Sequence, residues 1–513
     1  MSRWDPASLQ VAWQRLISIP DEMAAGLLHS AFSAVVRESN DLACALLSPR
    51  GDLLVEYSRS VPVFTGILSR AARSLIQAVG IETLRPGDVL AMNDPWHGNT
   101  HLADLTVVTP VFDGEELVAF AASICHLSDI GGASEGAFAF DLYEEGLAIP
   151  PVKLVREGVI DEMLMKIVRR NVRFPQMVEG DIHALIVANE IGARRLHELL
   201  GSEAGFDLGG ISDEIAAVSE AAMRRAIAAL PDGRYRGATR IDGFEEPKEI
   251  RVEIEIAGEG MLVDFTGTSS QSERGINSAS TSGAYTLYSL KCLLTPEVPN
   301  NVWTYRPIQV SIPPGTLLNP SPPAAVSANF PAHTIQAAVY QALRDVMPAA
   351  VMAPAGAPFW VLALRGEDAE GGFGGLVSFN GGQGALREHP GKACLSMPSN
   401  VSNTPIEVTE AELPIIYERK AIVRGSGGEG EWRGGDGQEV ILRSVHDAPL
   451  TVTCLTERIE NPAAGIAGGL PGAPGRLSLD GVPVGEPKGR FKLEPGSRIS
   501  LKTPGGGGYG AVR

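Results

Sequence analysis

Apolar residues recur at intervals of three and four over residues 7–38: Val11, Leu16, Ile17, Met23, Leu27, Leu28, Phe32 and Val35. That spacing predicts amphipathic helix, with Pro20 as a break or a helix start. Two apolar runs, Leu42–Leu47 and residues 53–57, then flank Ser48-Pro49-Arg50-Gly51-Asp52, the pattern of a β-hairpin. A further helix is expected over Ile67–Val79, short strands from there to about residue 127, and mostly helix over 159–230, including 190–200 and 213–230.

After Pro231-Asp232-Gly233 the period changes. Residues 251–256 alternate strictly, as a half-buried strand does. From there the chain is rich in Gly, Pro and short strand patterns, apart from a helix-like stretch at 334–346, and the last hundred residues read as mostly β. No solenoid-type repeat is present. The predicted class is α+β: a multi-layer mixed helix/sheet body with a Gly/Pro-rich, mostly β C-terminal region. Soft divisions fall at 1–232, 233–400 and 401–513, within one compact body.

Composition narrows the functional classes. The chain has 513 residues, 44% of them apolar, enough for a large core. A formal net charge of -18 argues against binding nucleic acid, because counterion release needs a basic surface. Five scattered cysteines, an odd number without zinc-ribbon spacing, argue against a disulfide framework. The N-terminal residues lack a basic region followed by an apolar core, and no apolar run is long enough to span a bilayer. The expected setting is reducing and cytoplasmic, without a membrane.

Three of nine histidines fall within thirty residues: His97, His101 and His126. His101 leads through Asp104 into an apolar strand, Asp113-Gly114 signals a hairpin, and the return strand ends at His126. A two-residue loop sets His101 opposite His126; a four-residue loop sets Ala103 opposite His126. Either register brings His126 beside the 101–104 segment, with opposed Cβ atoms about 5 Å apart. Two imidazoles and a carboxylate so placed suit zinc, manganese or a similar divalent ion. His101 and Asp104 differ by an odd number, so they share an ion only if the chain bends there. The alternative is that all three are satisfied turn and strand-end residues.

Other candidates carry their own alternatives. His97 is a further ligand, a substrate-facing residue or a turn residue beside Trp96. Asp129 orients a ligand histidine or caps a turn. Asp41, at the entrance of the first hairpin, is a general base or a loop-to-strand polar residue. Glu144 and Glu145 read as solvated surface. No P-loop and no Gly-x-Ser-x-Gly elbow is present, and neither Gly505–508 nor Gly425–428 leads into a helix, so no nucleotide is placed on this chain.

Taken in order, these motifs resemble those of the hydantoinase B family, which includes N-methylhydantoinase and oxoprolinase B components. Acetone and acetophenone carboxylase subunits are more distant relatives. The likeness begins at Arg37-Glu38-Ser39 with Asp41. It continues through Asn93-Asp94-Pro95, His97-Gly98, Thr100-His101, Asp104, His126 and Asp129-Ile130-Gly131-Gly132. It takes in Asp264-Phe265-Thr266-Gly267-Thr268, Thr456-Glu457-Arg458 and Thr503-Pro504 with Gly505–508, so it spans about residues 10–510. The pattern is departed from at Trp303, at 387–391 and at 425–428.

The resemblance implies a divalent metal, zinc or manganese, at His101, Asp104 and His126, with Asp41 as the acid-base residue. It also implies a hydantoinase A-like partner, in a heterotetramer or larger assembly, that binds ATP and phosphorylates the carbonyl of a cyclic amide. This chain would hydrolyse the activated amide and bind no ATP itself. Three rivals stand beside that expectation: a subunit of an ATP-dependent ketone carboxylase, a stand-alone metallohydrolase, and a non-catalytic scaffold for the A-like partner.

Overall fold

A computed structural model describes residues 4–64, 66–133, 136–202, 206–327, 330–369, 371–486 and 488–512. The N-terminal half is organised by a seven-stranded antiparallel sheet. Its strands are β1 (Leu42–Leu47), β2 (Leu53–Glu56), β3 (Val89–Met92), β4 (Asp104–Asp113), β5 (Glu116–His126), β6 (Val152–Arg156) and β7 (Val159–Ile160). Their spatial order is β2-β1-β5-β4-β3-β6-β7.

The central strands are apolar on both faces because both faces are covered. Along β1, Leu42, Cys44 and Leu46 enter one core, while Ala43, Ala45 and Leu47 enter another. Burying one such leucine contributes about 2 kcal/mol. The first core is roofed by α1 (Pro6–Ser30) and α6 (Pro175–Ser202), which pack on each other and on β1, β4 and β5. Two short helices, α2 (Ala34–Arg37) and α4 (Leu142–Glu145), together with α5 (Glu162–Asn171) and α7 (Leu208–Ala228), complete this half. The predicted helix at Ile67–Val79 is present as α3 on the opposite face.

The second core continues through α8 (Ser280–Leu294) and α9 (Phe330–Leu343) to a four-stranded sheet. That sheet has the order β11-β10-β9-β8, from β8 (Gly233–Ile241), β9 (Lys248–Ala257), β10 (Gly260–Asp264) and β11 (Ile308–Ser311). The layers therefore run helix, sheet, helix, sheet, in keeping with the expected α+β class.

The C-terminal region is a β-sandwich. One sheet joins β12 (Trp360–Asp368), β13 (Gly371–Phe379), β16 (Leu450–Leu455) and β19 (Gly489–Leu493). The other joins β14 (Ile415–Ile422), β15 (Gln438–Ser444), β17 (Arg476–Leu479), β18 (Val482–Pro483) and β20 (Arg498–Lys502). Trp360, Leu362 and Phe379 from the first meet Val440, Ile499 and Leu501 from the second in one core. Because β12 pairs with β16, the expected division at residue 400 runs through a sheet.

Two sequence expectations need correction. Pro20 neither breaks nor starts a helix but lies inside α1. Helix α8 was not expected, because Ser, Thr and Gly disguise it. In the structure the hydroxyls of Ser282, Thr286 and Ser289 bond back to carbonyls four residues earlier, so a polar sequence is buried as helix. Gly505–508 is buried extended chain: Gly506 lies so close to the Gln383 carbonyl that a Cβ would come within 2.1 Å of it.

Candidate functional site

Three neighbouring strands present their ends at one level. His126 closes β5, Asp104 opens β4 directly opposite it, and Asp41 immediately precedes β1. The His126 N–H donates to the Asp41 carbonyl at 3.2 Å, extending the ladder by one rung. On the next rung, Leu42, Cys125 and Leu105 all enter the first core. Side chains alternate along a strand, so Asp41, His126 and Asp104 turn to the other face, toward α8 and α9.

The register matches neither expectation over its full length. Phe112 pairs with Leu117, as a four-residue loop requires, but a bulge at Val111 leaves Val118 unpaired and shifts the rest of the hairpin by one residue. Asp104, not Ala103 or His101, therefore faces His126. His101 joins them through a turn: the Asp104 N–H donates to the His101 carbonyl at 3.1 Å, folding residue 101 back over the strand end. This bend removes the odd-spacing obstacle.

The turn is over-determined. Asn93 donates to the Leu102 and Leu147 carbonyls at 2.7 and 2.9 Å and accepts from the Ile149 N–H at 2.6 Å. Asn99 donates to the Asp104 carbonyl at 2.6 Å, and Thr100 Oγ1 bonds Asp104 Oδ2. Glu145 accepts from the Leu102 and Val326 N–H groups, each at 3.1 Å.

Asp104 sits between the two imidazoles. His101 Nε2 lies 3.1 Å from Oδ2 and His126 Nδ1 lies 3.0 Å from Oδ1. The two rings are 5.1 Å apart, centroid to centroid. Burial by itself would push the Asp104 carboxyl up, but the charge and hydrogen bonds of His101 and His126 outweigh it and hold the group far below the usual carboxylate range. Asp41 behaves oppositely: loss of solvent dominates and raises it to about 6, with Asp104 adding to the rise and both histidines opposing it. Asp41 keeps a partly open edge although its carboxylate is enclosed by protein, and that edge faces a cavity.

The cavity, of about 170 Å³, lies where the seven-stranded sheet, α8, α9 and the C-terminal sandwich meet. The four groups line it, with Tyr285, His333, Phe359 and Arg365 from the later regions. One ligand atom from each of His101, Asp104 and His126 lies within 4.8 Å of the others. Ligands about 2.1 Å from a common tetrahedral centre sit roughly 3.4 Å apart, so modest closure suffices. His101 Nδ1 is buried without a hydrogen-bond partner among the described residues, leaving this donor set incompletely satisfied.

His97 is not brought into the group. It ends a single turn, is half exposed, bonds Asp94 at 2.9 Å and does not line the cavity, so the turn reading fits it. Asp129 lines the cavity, but its carboxylate bonds the Gly131 N–H and both the backbone and the guanidinium of Arg173. It anchors a loop in which Gly132 has φ +59° and touches the Glu145 carbonyl too closely for any Cβ.

Glu145 corrects the surface reading of its pair. On the single turn of α4 neighbouring side chains diverge, so Glu144 is exposed while Glu145 is buried, its pKa raised by loss of solvent. Tyr285 and His333 were missed because nothing in their local sequence marks them; only the folding of α8 and α9 across the sheet brings them here.

A model of the hydantoinase B/oxoprolinase family matches residues 5–512. A protein of Pseudomonas sp. (strain NS671), provisionally assigned as the B component of a D-/L-hydantoinase, is 30% identical over 539 residues, covering 99% of this chain and 90% of that one. Arabidopsis thaliana 5-oxoprolinase 1 is 30% identical over 558 residues, but the chain spans only 42% of its length. The crystal structure of an ATP-dependent caprolactamase from Pseudomonas jessenii superposes with a TM-score of 0.90 at 28% identity, covering 99% of this chain and 92% of that one. Nucleotide-free acetone carboxylase gives 0.89 at 17% identity, covering 99% and 76%, a likeness of fold alone.

Proposed function

Because the chain belongs to the hydantoinase B/oxoprolinase family, we propose that it is the hydrolytic subunit of an ATP-dependent amide hydrolase acting on a cyclic amide. An A-type partner binds ATP and phosphorylates the substrate carbonyl oxygen, and this chain hydrolyses the activated species. The observation that carries the reading is the row Asp41, His126, Asp104, with His101 folded over it, on the wall of one cavity.

The chemistry follows from what an amide resists. Resonance makes its carbon a poor electrophile. Phosphorylation of the oxygen removes that resonance and opens the carbon to water; the ring C–N bond then breaks with its nitrogen protonated, and hydrolysis of the resulting acyl phosphate releases phosphate, so the second half-reaction needs oriented water and a group that takes and returns protons. His101, Asp104 and His126 offer two imidazoles and a carboxylate within reach of one centre, a set that fits zinc or manganese. A divalent ion held there supplies Lewis acidity to the reacting centre.

Asp41 supplies the base. Its carboxyl, raised to about 6, is ionised at neutral pH yet more basic than a solvated aspartate, so it can take a proton from water attacking at the cavity. Asp104 stays anionic and fixes both imidazoles. Glu145 and the asparagines hold the His101 turn in place.

The test is co-expression with an ATP-binding A-type protein, followed by turnover of a hydantoin and lactam panel with metal analysis. Ring opening that requires ATP, partner and metal together is the expected result. Turnover by this chain alone without ATP would point to a stand-alone hydrolase, and bicarbonate-dependent substrate loss to a carboxylase.

A further inference from the structure

Side chains along β12 divide between two environments. Leu362 and Leu364 enter the core of the C-terminal sandwich, while Val361, Ala363 and Arg365 line the cavity that holds Asp41, His101, Asp104 and His126. Arg365 is half-buried and pairs directly across from Gly374 on β13. A Cβ at Gly374 would come within 3.0 Å of Arg365 Cγ and 3.1 Å of Phe174 Cζ, so the absent side chain leaves the room that the arginine stem and that ring occupy. Phe174 also lines the cavity, and its neighbour Arg173 holds Asp129 at 2.9 Å. Contacts therefore run from Arg365 through Phe174 to the loop that follows His126.

Charge gives this placement a use. Among the described residues that line the cavity, Arg365 is the single lysine or arginine, whereas Asp41, Asp104, Asp129 and Glu145 are acids. Asp104 is held anionic between its histidines, and Asp129 is matched by Arg173. A species that arrives carrying a phosphoryl group brings about two negative charges against this wall. A guanidinium offers paired N–H donors in the fork that fits phosphoryl oxygens, and partial enclosure strengthens that pairing.

We propose that Arg365 is the phosphoryl-binding residue of this site. Its guanidinium donates to the phosphoryl oxygens of the carbonyl-phosphorylated intermediate and keeps the activated carbon toward Asp41, His101, Asp104 and His126. The inference rests on the reading given above, in which an A-type partner delivers that intermediate, and it names the residue that retains it. An intermediate that is not retained loses its phosphoryl group to water. The amide and inorganic phosphate return, and ATP is consumed without ring opening.

Two measurements test this. Inorganic phosphate is titrated by calorimetry into the zinc-loaded full chain. Arg365→Met raises its Kd about tenfold or more, and Arg365→Lys, which keeps the charge without the fork, raises it less. In the complex with an A-type partner, the ratio of ADP formed to ring opened is followed with ε-caprolactam. Arg365→Met raises that ratio severalfold while ATP consumption continues. Gly374→Ala keeps every charge but crowds the arginine stem, and it shifts both readouts in the same direction.

An unchanged phosphate affinity, or an unchanged ratio of ADP to product, in Arg365→Met overturns the proposal. Should that variant fail to fold, the ¹⁵Nε signal of Arg365 in the wild-type chain decides: it shifts on addition of phosphate, and no response overturns the assignment. An Arg365-dependent phosphate site in a complex that opens no ring keeps the phosphoryl site and sinks the amide-hydrolase reading. Coupled ring opening that survives Arg365→Met does the reverse.

Discussion

Asp104 and His126 face each other across adjacent antiparallel strands, Oδ1 to Nδ1 at 3.0 Å, because a single bulge at Val111 shifts the hairpin by one residue. The unpaired residue of that bulge is Val118, near the turn and far from the site. Deleting Val118 makes the ladder regular while leaving Val111 beside Ala119 and Asp104 opposite His126. The expected outcome is a folded protein with metal binding intact. Deleting Val107, on the site side of the bulge, brings Ala103 opposite His126 and should abolish metal binding. Metal content and circular dichroism of the two deletion variants check this.

His101→Ala combined with His126→Ala removes both imidazoles from Asp104. Metal retention should fall below detection by elemental analysis, and ATP-dependent turnover by about 1,000-fold or more. Turnover that survives would identify the chain as a scaffold for its partner.

Asp41→Asn keeps the shape of the side chain and removes the base. Turnover should fall by about 100- to 10,000-fold with the metal still bound. Loss of metal in this variant would make Asp41 a ligand instead. The base acts when ionised, and its pKa is raised to about 6, so wild-type kcat/KM should rise as pH increases through 6 and fall below it as Asp41 takes up a proton.

Glu145→Ala leaves the buried Leu102 and Val326 N–H groups without an acceptor. A destabilisation of about 1–3 kcal/mol is expected, together with weaker metal affinity because the His101 turn loosens. Glu145→Gln, which retains one carbonyl oxygen, should lose less in both urea melts and metal titration.

His333 supplies a pH dependence of stability. Its folded pKa of about 3 lies below the usual histidine value of about 6.5, so the unfolded chain binds the extra proton more readily. The stability it contributes is complete above about pH 6.5 and is lost as pH falls from there toward 3, by up to about 1.4 kcal/mol per unit. Urea melts from pH 7 to 4 should show a steeper decline for the wild type than for His333→Gln. Equal slopes would contradict the burial of a neutral imidazole.

The sequence by itself determined the elements with strong local periodicity. The α3 helix follows from its 3.6-residue pattern and the first hairpin from two apolar runs flanking a turn, and the placement of Asp41 at a strand entrance follows from the same runs. It also determined that His126 would lie beside the 101–104 segment, since a hairpin turn fixes its strands to within a residue. Only the tertiary structure decided the last residue of that register, because a bulge is a compromise between turn and ladder that no periodicity records. It alone decided that Glu145 is buried and Glu144 is not, since both are equally polar and only the packing of α4 separates them. It alone brought Tyr285 and His333 to the cavity, because burial of α8 and α9 depends on a sheet more than a hundred residues away in the chain. Local pattern is set by neighbours in sequence, whereas the site is set by which faces the cores could cover.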